Sequence, residues 1–170
     1  LDLSKIEAGK MELHIEVFEL EKHLSQIEAT AKPLVEKNGN KFVIEKPDNI
    51  KKLTNDQTKL RQILFNMLSN AAKFTKKGTV TLAITENGDD IKFAVIDTGI
   101  GMNEEQLGKV FEEFTQAESS TSKEYGGTGL GLPISKMMTE MMGGIMDVES
   151  EEGKGTTFSI TIPIEVQEEN

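Results

Sequence analysis

Apolar positions along the chain switch between two periods, and the switches mark out its elements. Met11, Leu13, Ile15 and Val17 alternate with Glu12, His14, Glu16 and Phe18, the pattern of a half-buried strand. From Glu19 to Lys37 the spacing changes to three and four. Leu20, Leu24, Ile27, Ala31, Leu34 and Val35 form the stripe of an amphipathic helix that Lys37-Asn38-Gly39 ends. His14 falls on the polar side of the strand and His23 off the helical stripe, so both read as surface residues. Lys41 to Glu45 is a short strand, and Pro47-Asp48-Asn49 a turn. Asn55 or Asp56 then caps a second helix, whose buried face is Leu60, Leu64, Met67, Leu68 and Ala71. Two alternating runs, Thr79 to Thr85 and Ile91 to Asp97, flank Asn87-Gly88-Asp89-Asp90 and read as a hairpin. Asn103 to Lys109 is a short helix, and Phe111 and Phe114 are core or lid anchors. Gln116 to Gly127 is a polar loop without periodicity. Leu130 to Met142 is helical, with its methionines as core fillers. Ile145 to Ser150 and Thr156 to Ile164 make a second hairpin around Glu151 to Gly155.

A length of 170 residues sets the scale at one domain, or one domain with a short appendage. Residues 1–10 read as the last turns of a helix and a hinge, residues 11–164 as the domain, and residues 165–170 as an acidic tail. The first residue is Leu1, which suggests a piece of a longer protein. A net charge of −10 and a single arginine, Arg61, argue against a nucleic-acid partner. With no cysteine, thiol chemistry, disulfides and Cys-based zinc sites are excluded. No apolar run approaches a membrane span and no signal peptide is visible.

Four stretches carry candidate chemistry. Gly126 to Leu132, GGTGLGL, has four glycines in six positions and opens onto a helix. Glycines let backbone N–H groups close around an anion, and a helix start adds its positive dipole end. On the second helix Asn66, Asn70 and Lys73 share one flank, four and then three residues apart. Amide oxygens suit Mg²⁺ and an ammonium suits phosphate, although a solvated helix face has the same composition. Asp97 ends a strand and runs into DTGIGM. A carboxylate there can accept an adenine amine, and Gly99 and Gly101 leave room for the base. A strand-terminating Asp in a tight turn is the plainer reading. The polar loop before the Gly-rich run fits a lid, with Lys123 and Tyr125 able to touch a nucleotide.

In this order the stretches resemble the catalytic, ATP-binding domain of sensor histidine kinases. DQTKLRQILFNMLSNAAKFT, DTGIGM, FEEFTQAESS, GGTGLGL and KGTTF are similar to the family's N, G1, F, G2 and G3 boxes over roughly residues 1–164. LDLSKIEAGKMEL resembles the end of a dimerisation helix and its hinge. The resemblance implies an α/β (α+β) two-layer sandwich of the Bergerat type. Its sheet is mixed and mostly antiparallel, with helices on one face and ATP under a mobile lid. It further implies Mg²⁺ on Asn70 and phosphate contacts from Asn66 and Lys73. Asp97 would accept from adenine, and Gly99 and Gly101 would shape the base pocket. Gly127, Gly129, Leu130 and Gly131 would line the phosphates, with Lys123 reaching in from the lid. Thr157 would support the adenine–Asp97 contact, through water.

The family moves the ATP γ-phosphate to a histidine on a separate helical hairpin. Neither ELHIE nor EKHLS resembles that histidine motif, so no catalytic residue is assigned within this chain and self-labelling is not expected. Partners implied are the parent's hairpin and, downstream, a response-regulator receiver domain. The chain itself would be monomeric and cytoplasmic, its parent a homodimer either membrane-anchored or soluble. Two other readings remain open. The wider superfamily of type II topoisomerases, heat-shock chaperones and mismatch-repair ATPases activates water with a glutamate one turn before the Mg-binding Asn. Here that position is Asn66, and an amide takes no proton from water. A pseudokinase that keeps the domain to bind nucleotide and dock partners is the other.

Overall fold

The two helical stripes close over one face of a sheet built from the alternating runs. The computed structural model describes residues 13–48, 52–109 and 131–165. Its elements are β1 (Glu16–Glu19), α1 (Leu20–Glu36), β2 (Lys41–Glu45), β3 (Lys52–Asn55), α2 (Gln57–Phe74), β4 (Thr79–Asn87) and β5 (Asp90–Asp97). Then follow α3 (Glu104–Lys109), α4 (Gly131–Met141), β6 (Ile145–Glu151) and β7 (Gly155–Pro163). The main sheet runs β2-β4-β5-β7-β6. Only β2 and β4 pair in parallel; the other three ladders are antiparallel. β1 and β3 form a separate antiparallel pair, extended by a bridge from Thr54 to Glu165. This is the mixed, mostly antiparallel sheet with helices on one face that the family resemblance implied.

Period-two burial separates the faces of the sheet. Val80, Leu82 and Ile84 of β4, Ile91, Phe93 and Val95 of β5, and Phe158, Ile160 and Ile162 of β7 are buried. They meet Leu24, Ile27 and Ala31 of α1, Leu60, Leu64 and Met67 of α2, and Leu132 and Met138 of α4 in one core. On the opposite face Thr85, Lys92 and Ile96 are exposed. Apolar burial of this extent is the main driving force for the layer packing.

Three local readings change. β3 was not anticipated, because KLTN carries a single apolar residue, Leu53, and is a strand through its pairing with β1. At β1 the inward residue is Phe18, while Val17 is 65% exposed, opposite to the simple alternation. Phe18 turns in because it packs on His23, with ring centroids 5.3 Å apart. His23 is therefore not a surface residue: it is 2% exposed. The start of α1 is covered by the start of α2 as well as by β1, which a one-helix stripe does not show. His23 Nε2 donates to the Gln57 carbonyl at 2.9 Å, and Nδ1 is buried without a partner among the described residues.

Burial lowers the His23 pKa; the Gln57 hydrogen bond opposes this and the Arg61 charge adds to it. The folded imidazole thus stays neutral where the unfolded one takes a proton. Stability is full above the unfolded value of about 6.5 and falls as pH drops below it, by up to about 1.4 kcal/mol per pH unit until the folded pKa is passed. Urea unfolding between pH 7.5 and 5.5 should show that slope, and His23→Gln should remove most of it. An equally steep slope in the variant would place the titration elsewhere.

Candidate nucleotide site

Helix α2 is held at both ends before it presents anything. Asp56 caps its start: Oδ1 accepts from the Lys59 N–H at 2.9 Å, and Oδ2 from the His14 N–H at 2.8 Å and from Lys59 Nζ at 3.2 Å. Burial pushes the Asp56 pKa up, but the two N–H groups and the Lys59 ammonium outweigh it and hold the carboxyl below its usual value. At the far end, Asn38 Nδ2 donates to the Ala72 carbonyl at 2.8 Å and Asn40 Nδ2 to the Thr75 carbonyl at 2.7 Å. These amides satisfy carbonyls that the helix end leaves open.

The flank so fixed carries Asn66, Asn70 and Lys73, all half-buried. Asn66 faces α4, donating through Nδ2 to the buried Ser135 Oγ at 3.0 Å. Among the described residues Asn70 and Lys73 make no hydrogen bond or ion pair, so an oxygen donor and an ammonium remain available side by side. No cluster of three His, Asp or Glu side chains is placed to hold a metal among the described residues. A divalent cation here would therefore be held by the Asn70 carbonyl oxygen, water and the oxygens of a bound phosphate, a hard donor set that fits Mg²⁺.

Asp97 closes β5 and is 6% exposed. Its Oδ1 accepts from the Gly99 N–H at 2.9 Å and from the Thr156 N–H at 3.2 Å. The Thr75 hydroxyl also bonds to this carboxylate. Burial raises the Asp97 pKa, against the Gly99 and Thr156 N–H groups and the nearby Thr75 hydroxyl. Two backbone N–H groups and one hydroxyl leave a buried carboxylate with acceptor capacity for one more donor, which a ligand can supply.

The glycines of DTGIGM serve a purpose different from the one expected. A Cβ on Gly99 would lie 2.1 Å from the Phe74 carbonyl oxygen, and one on Gly101 2.0 Å from that of Glu151. Gly101 also has φ +68°. The Ile100 N–H donates to the Phe74 carbonyl at 3.2 Å, and the Ile100 carbonyl accepts from the Gly153 N–H at 2.7 Å. The protein's own backbone fills the space these glycines leave. They clamp the turn between the end of α2 and the β6–β7 connection, and so aim Asp97.

Thr157 does not reach this site. The ladder pairs Asp97 with Thr156 and Ile96 with Thr157, so Thr157 lies on the outer face with exposed Ile96. The residue beside Asp97 is Thr156, whose hydroxyl shares a 2.8 Å hydrogen bond with Ser150 Oγ. Gly131 is the first residue of α4. Lys123, Gly127, Gly129 and Leu130 lie outside the described residues, as do Phe111, Phe114 and Tyr125. Three residues that periodicity did not single out join the site: Ser135 behind Asn66, Thr156 behind Asp97, and Thr75 between α2 and the DTG turn.

A mixed sheet covered on one face, with an asparagine-bearing helix beside a strand-end aspartate, defines a class of ATP-binding domain. Residues 55–166 match the model of the histidine kinase-, DNA gyrase B- and HSP90-like ATPases, and the chain belongs to that family. It is 42% identical over 175 residues to the autoinducer 2 sensor kinase/phosphatase LuxQ of Vibrio parahaemolyticus, covering 99% of this chain and 20% of that protein. To the hybrid signal transduction histidine kinase B of Dictyostelium discoideum it is 44% identical, over 96% of this chain and 9% of that one. The crystal structure of full-length ShkA in complex with AMPPNP superposes with a TM-score of 0.78 at 31% identity, over 90% of this chain and 32% of that one. The chain is thus homologous to histidine kinase catalytic domains and spans a fifth or less of these two curated relatives.

Proposed function

We propose that this domain binds Mg-ATP and transfers the γ-phosphate to a histidine on a dimerisation hairpin of its parent, from which a response-regulator receiver domain takes it. The observation that carries transfer over hydrolysis is Asn66. It stands where the superfamily's ATPases place a water-activating glutamate, and its amide is engaged with Ser135. An amide is no base near neutral pH, so nothing at that position activates water. Within the site, Asn70 holds the cation, Lys73 meets phosphate oxygens, and Asp97 Oδ2 accepts from the adenine amine. Thr156 takes the supporting place first given to Thr157. The family resemblance assigns Gly127, Gly129, Leu130 and Gly131 to phosphate contacts, and Lys123 to the lid.

Bound Mg²⁺ supplies charge neutralisation at the phosphates. The chain's own contribution is to hold ATP in one orientation and keep water from it. Such positioning suits phosphoryl transfer, which needs little covalent help from the protein. In the transfer a bond forms between the acceptor imidazole nitrogen and the γ-phosphorus, the β–γ bridging P–O bond breaks, and ADP leaves. Neither histidine of the described residues is that acceptor: His14 is exposed and outside any acceptor motif, and His23 is buried.

The test supplies γ-labelled ATP and Mg²⁺ with and without the parent's separately made hairpin. Acid-labile label on the hairpin, with little free phosphate from the domain alone, is expected. Steady phosphate release without the hairpin would make this a superfamily ATPase. Binding with neither transfer nor release would make it a nucleotide-binding interaction module.

A further inference from the structure

The turn after α1 and the turn after α2 are joined into one platform. The Lys77 N–H donates to the Asn38 carbonyl at 3.1 Å, and the Lys41 N–H to that of Gly78 at 2.9 Å. The Asn40 side chain grips the second turn twice, accepting from the Gly78 N–H at 3.0 Å and donating to the Thr75 carbonyl at 2.7 Å. Asn38 Nδ2 adds its bond to the Ala72 carbonyl. β2 and β4 then leave the platform in parallel, with Lys41 opposite Thr79.

Residues 37–41 and 75–79, KNGNK and TKKGT, carry four lysines and no carboxylate, in a chain of net charge −10. Lys37, Lys41, Lys76 and Lys77 are exposed, and none has a side-chain hydrogen bond or ion pair among the described residues. Lysines after a helix often do no more than answer its negative dipole end. Here carbonyls at the end of α2 are already taken by Asn38 and Asn40, and Lys41 belongs to a strand. Lys77 also has φ +53°, the only positive φ of a non-glycine among the described residues. Glycine or asparagine would adopt it more easily, and such strain gathers at functional positions. A Cβ on Gly39 would lie 3.3 Å from Lys77 Cγ, so the Lys77 side chain runs against the neighbouring turn.

We propose that these four lysines form a docking surface for a carboxylate-rich segment of another protein. The hydrogen-bonded backbone beneath them lowers the cost of ordering the site, and their charge orients an acidic partner on an otherwise acidic molecule. A nucleic acid or an anionic membrane would extend past the lysines onto surface of its own sign. The chain's own acidic tail falls short. The Ile164 N–H bonds to the Asp89 carbonyl beyond the far end of β4, whose 9 residues span ~30 Å, whereas the residues after Glu165 reach ~18 Å when fully extended. Lys73 is not among the four, so the proposal does not depend on how the nucleotide is held.

The test titrates the wild-type chain with a hexaglutamate peptide and follows the backbone amide chemical shifts at low and at moderate salt. Shifts confined to residues 37–41 and 75–79 are expected. The dissociation constant should be ~1 mM at low salt and weaken ~10-fold at moderate salt, as for several exposed ion pairs acting together. Lys37→Glu, Lys41→Glu, Lys76→Glu and Lys77→Glu together should abolish the shifts. Lys22→Glu, Lys52→Glu, Lys92→Glu and Lys154→Glu change the net charge equally at exposed positions elsewhere and should keep the affinity within ~3-fold. Lys77→Asn should bind ~2–5-fold more weakly while its urea midpoint stays the same or rises. Shifts spread over the whole chain, equal losses in both fourfold variants, or undiminished affinity in Lys77→Asn would overturn the proposal. Tighter binding of hexathymidylate or of phosphatidylserine vesicles through the same residues would overturn it in favour of a nucleic acid or a membrane. Should the glutamate variant not fold, four glutamines at the same positions remove the charge without reversing it, and retained binding there would equally overturn the proposal.

Discussion

Asn70→Ala is expected to weaken ATP binding in the presence of Mg²⁺ by ~100-fold or more, because it removes the proposed cation ligand where even supporting residues are worth ~10–100-fold. The same variant should leave the fold intact. Asn70 lies on the flank of α2 away from Leu64, Met67, Leu68 and Ala71, which form the core face. It has no hydrogen-bond partner among the described residues, so its removal strands nothing. Alanine is also the better helix former, by a few tenths of a kcal/mol to ~0.7 kcal/mol. The urea midpoint should therefore match or slightly exceed that of wild type. Isothermal titration with Mg²⁺ and with EDTA separates the contributions: wild type in EDTA should resemble the variant, and the variant should be indifferent to EDTA. Asn66→Ala makes the contrast. It leaves the buried Ser135 hydroxyl without its donor, so a stability loss should accompany any change in binding. Unchanged Mg-dependent affinity in Asn70→Ala would remove the cation from this helix.

What the sequence makes legible is whatever repeats. The stripes of α1, α2 and α4 and the alternation of β4, β5, β6 and β7 recur over enough residues to define a face, and the structure keeps their boundaries within a residue or two. What it hides depends on a second element. β3 has one buried apolar residue and exists through β1. His23 lies off its own helix's stripe and is buried by the Gln57 end of α2. Thr156 and Thr157 are adjacent in a run where both read as polar. Only the β5–β7 register decides which of them meets Asp97, and one residue of slip reverses the face. The glycines of DTGIGM were legible as close-approach residues, but not that Phe74 and Glu151 do the approaching. In the proposed site, Asn66, Asn70, Lys73 and Asp97 stood out by spacing and position. The residues that aim them, Ser135, Thr75 and Thr156, did not, because a lone hydroxyl on an element carries no periodicity.

Asp97→Asn should cost the domain its base selectivity and none of its stability. In the folded chain burial holds the Asp97 pKa above its ordinary value, despite the Gly99 and Thr156 N–H groups. The folded state therefore binds the proton more tightly than the unfolded one. Stability from this group is fully present below the unfolded pKa and is lost as pH rises through the folded one. At neutral pH the ionised carboxylate is a burden on the fold, which the proposed bond to adenine would account for. An asparagine keeps an oxygen for the two backbone N–H groups and turns its amide NH₂ toward the base. That donor opposes the adenine amine and suits the guanine carbonyl oxygen. Sites built around such a bond discriminate by ~10⁴ or more at best. A fall of at least ~100-fold in the ratio of ATP to GTP affinity is expected here. The urea midpoint of the variant at pH 7 should equal or exceed that of wild type, and its advantage should shrink toward pH 4 as the wild-type carboxyl is protonated. Lower stability at pH 7 would mean that the ionised carboxylate holds the turn together rather than waiting for a ligand. Persisting ATP preference would mean that the base is read elsewhere in the cleft.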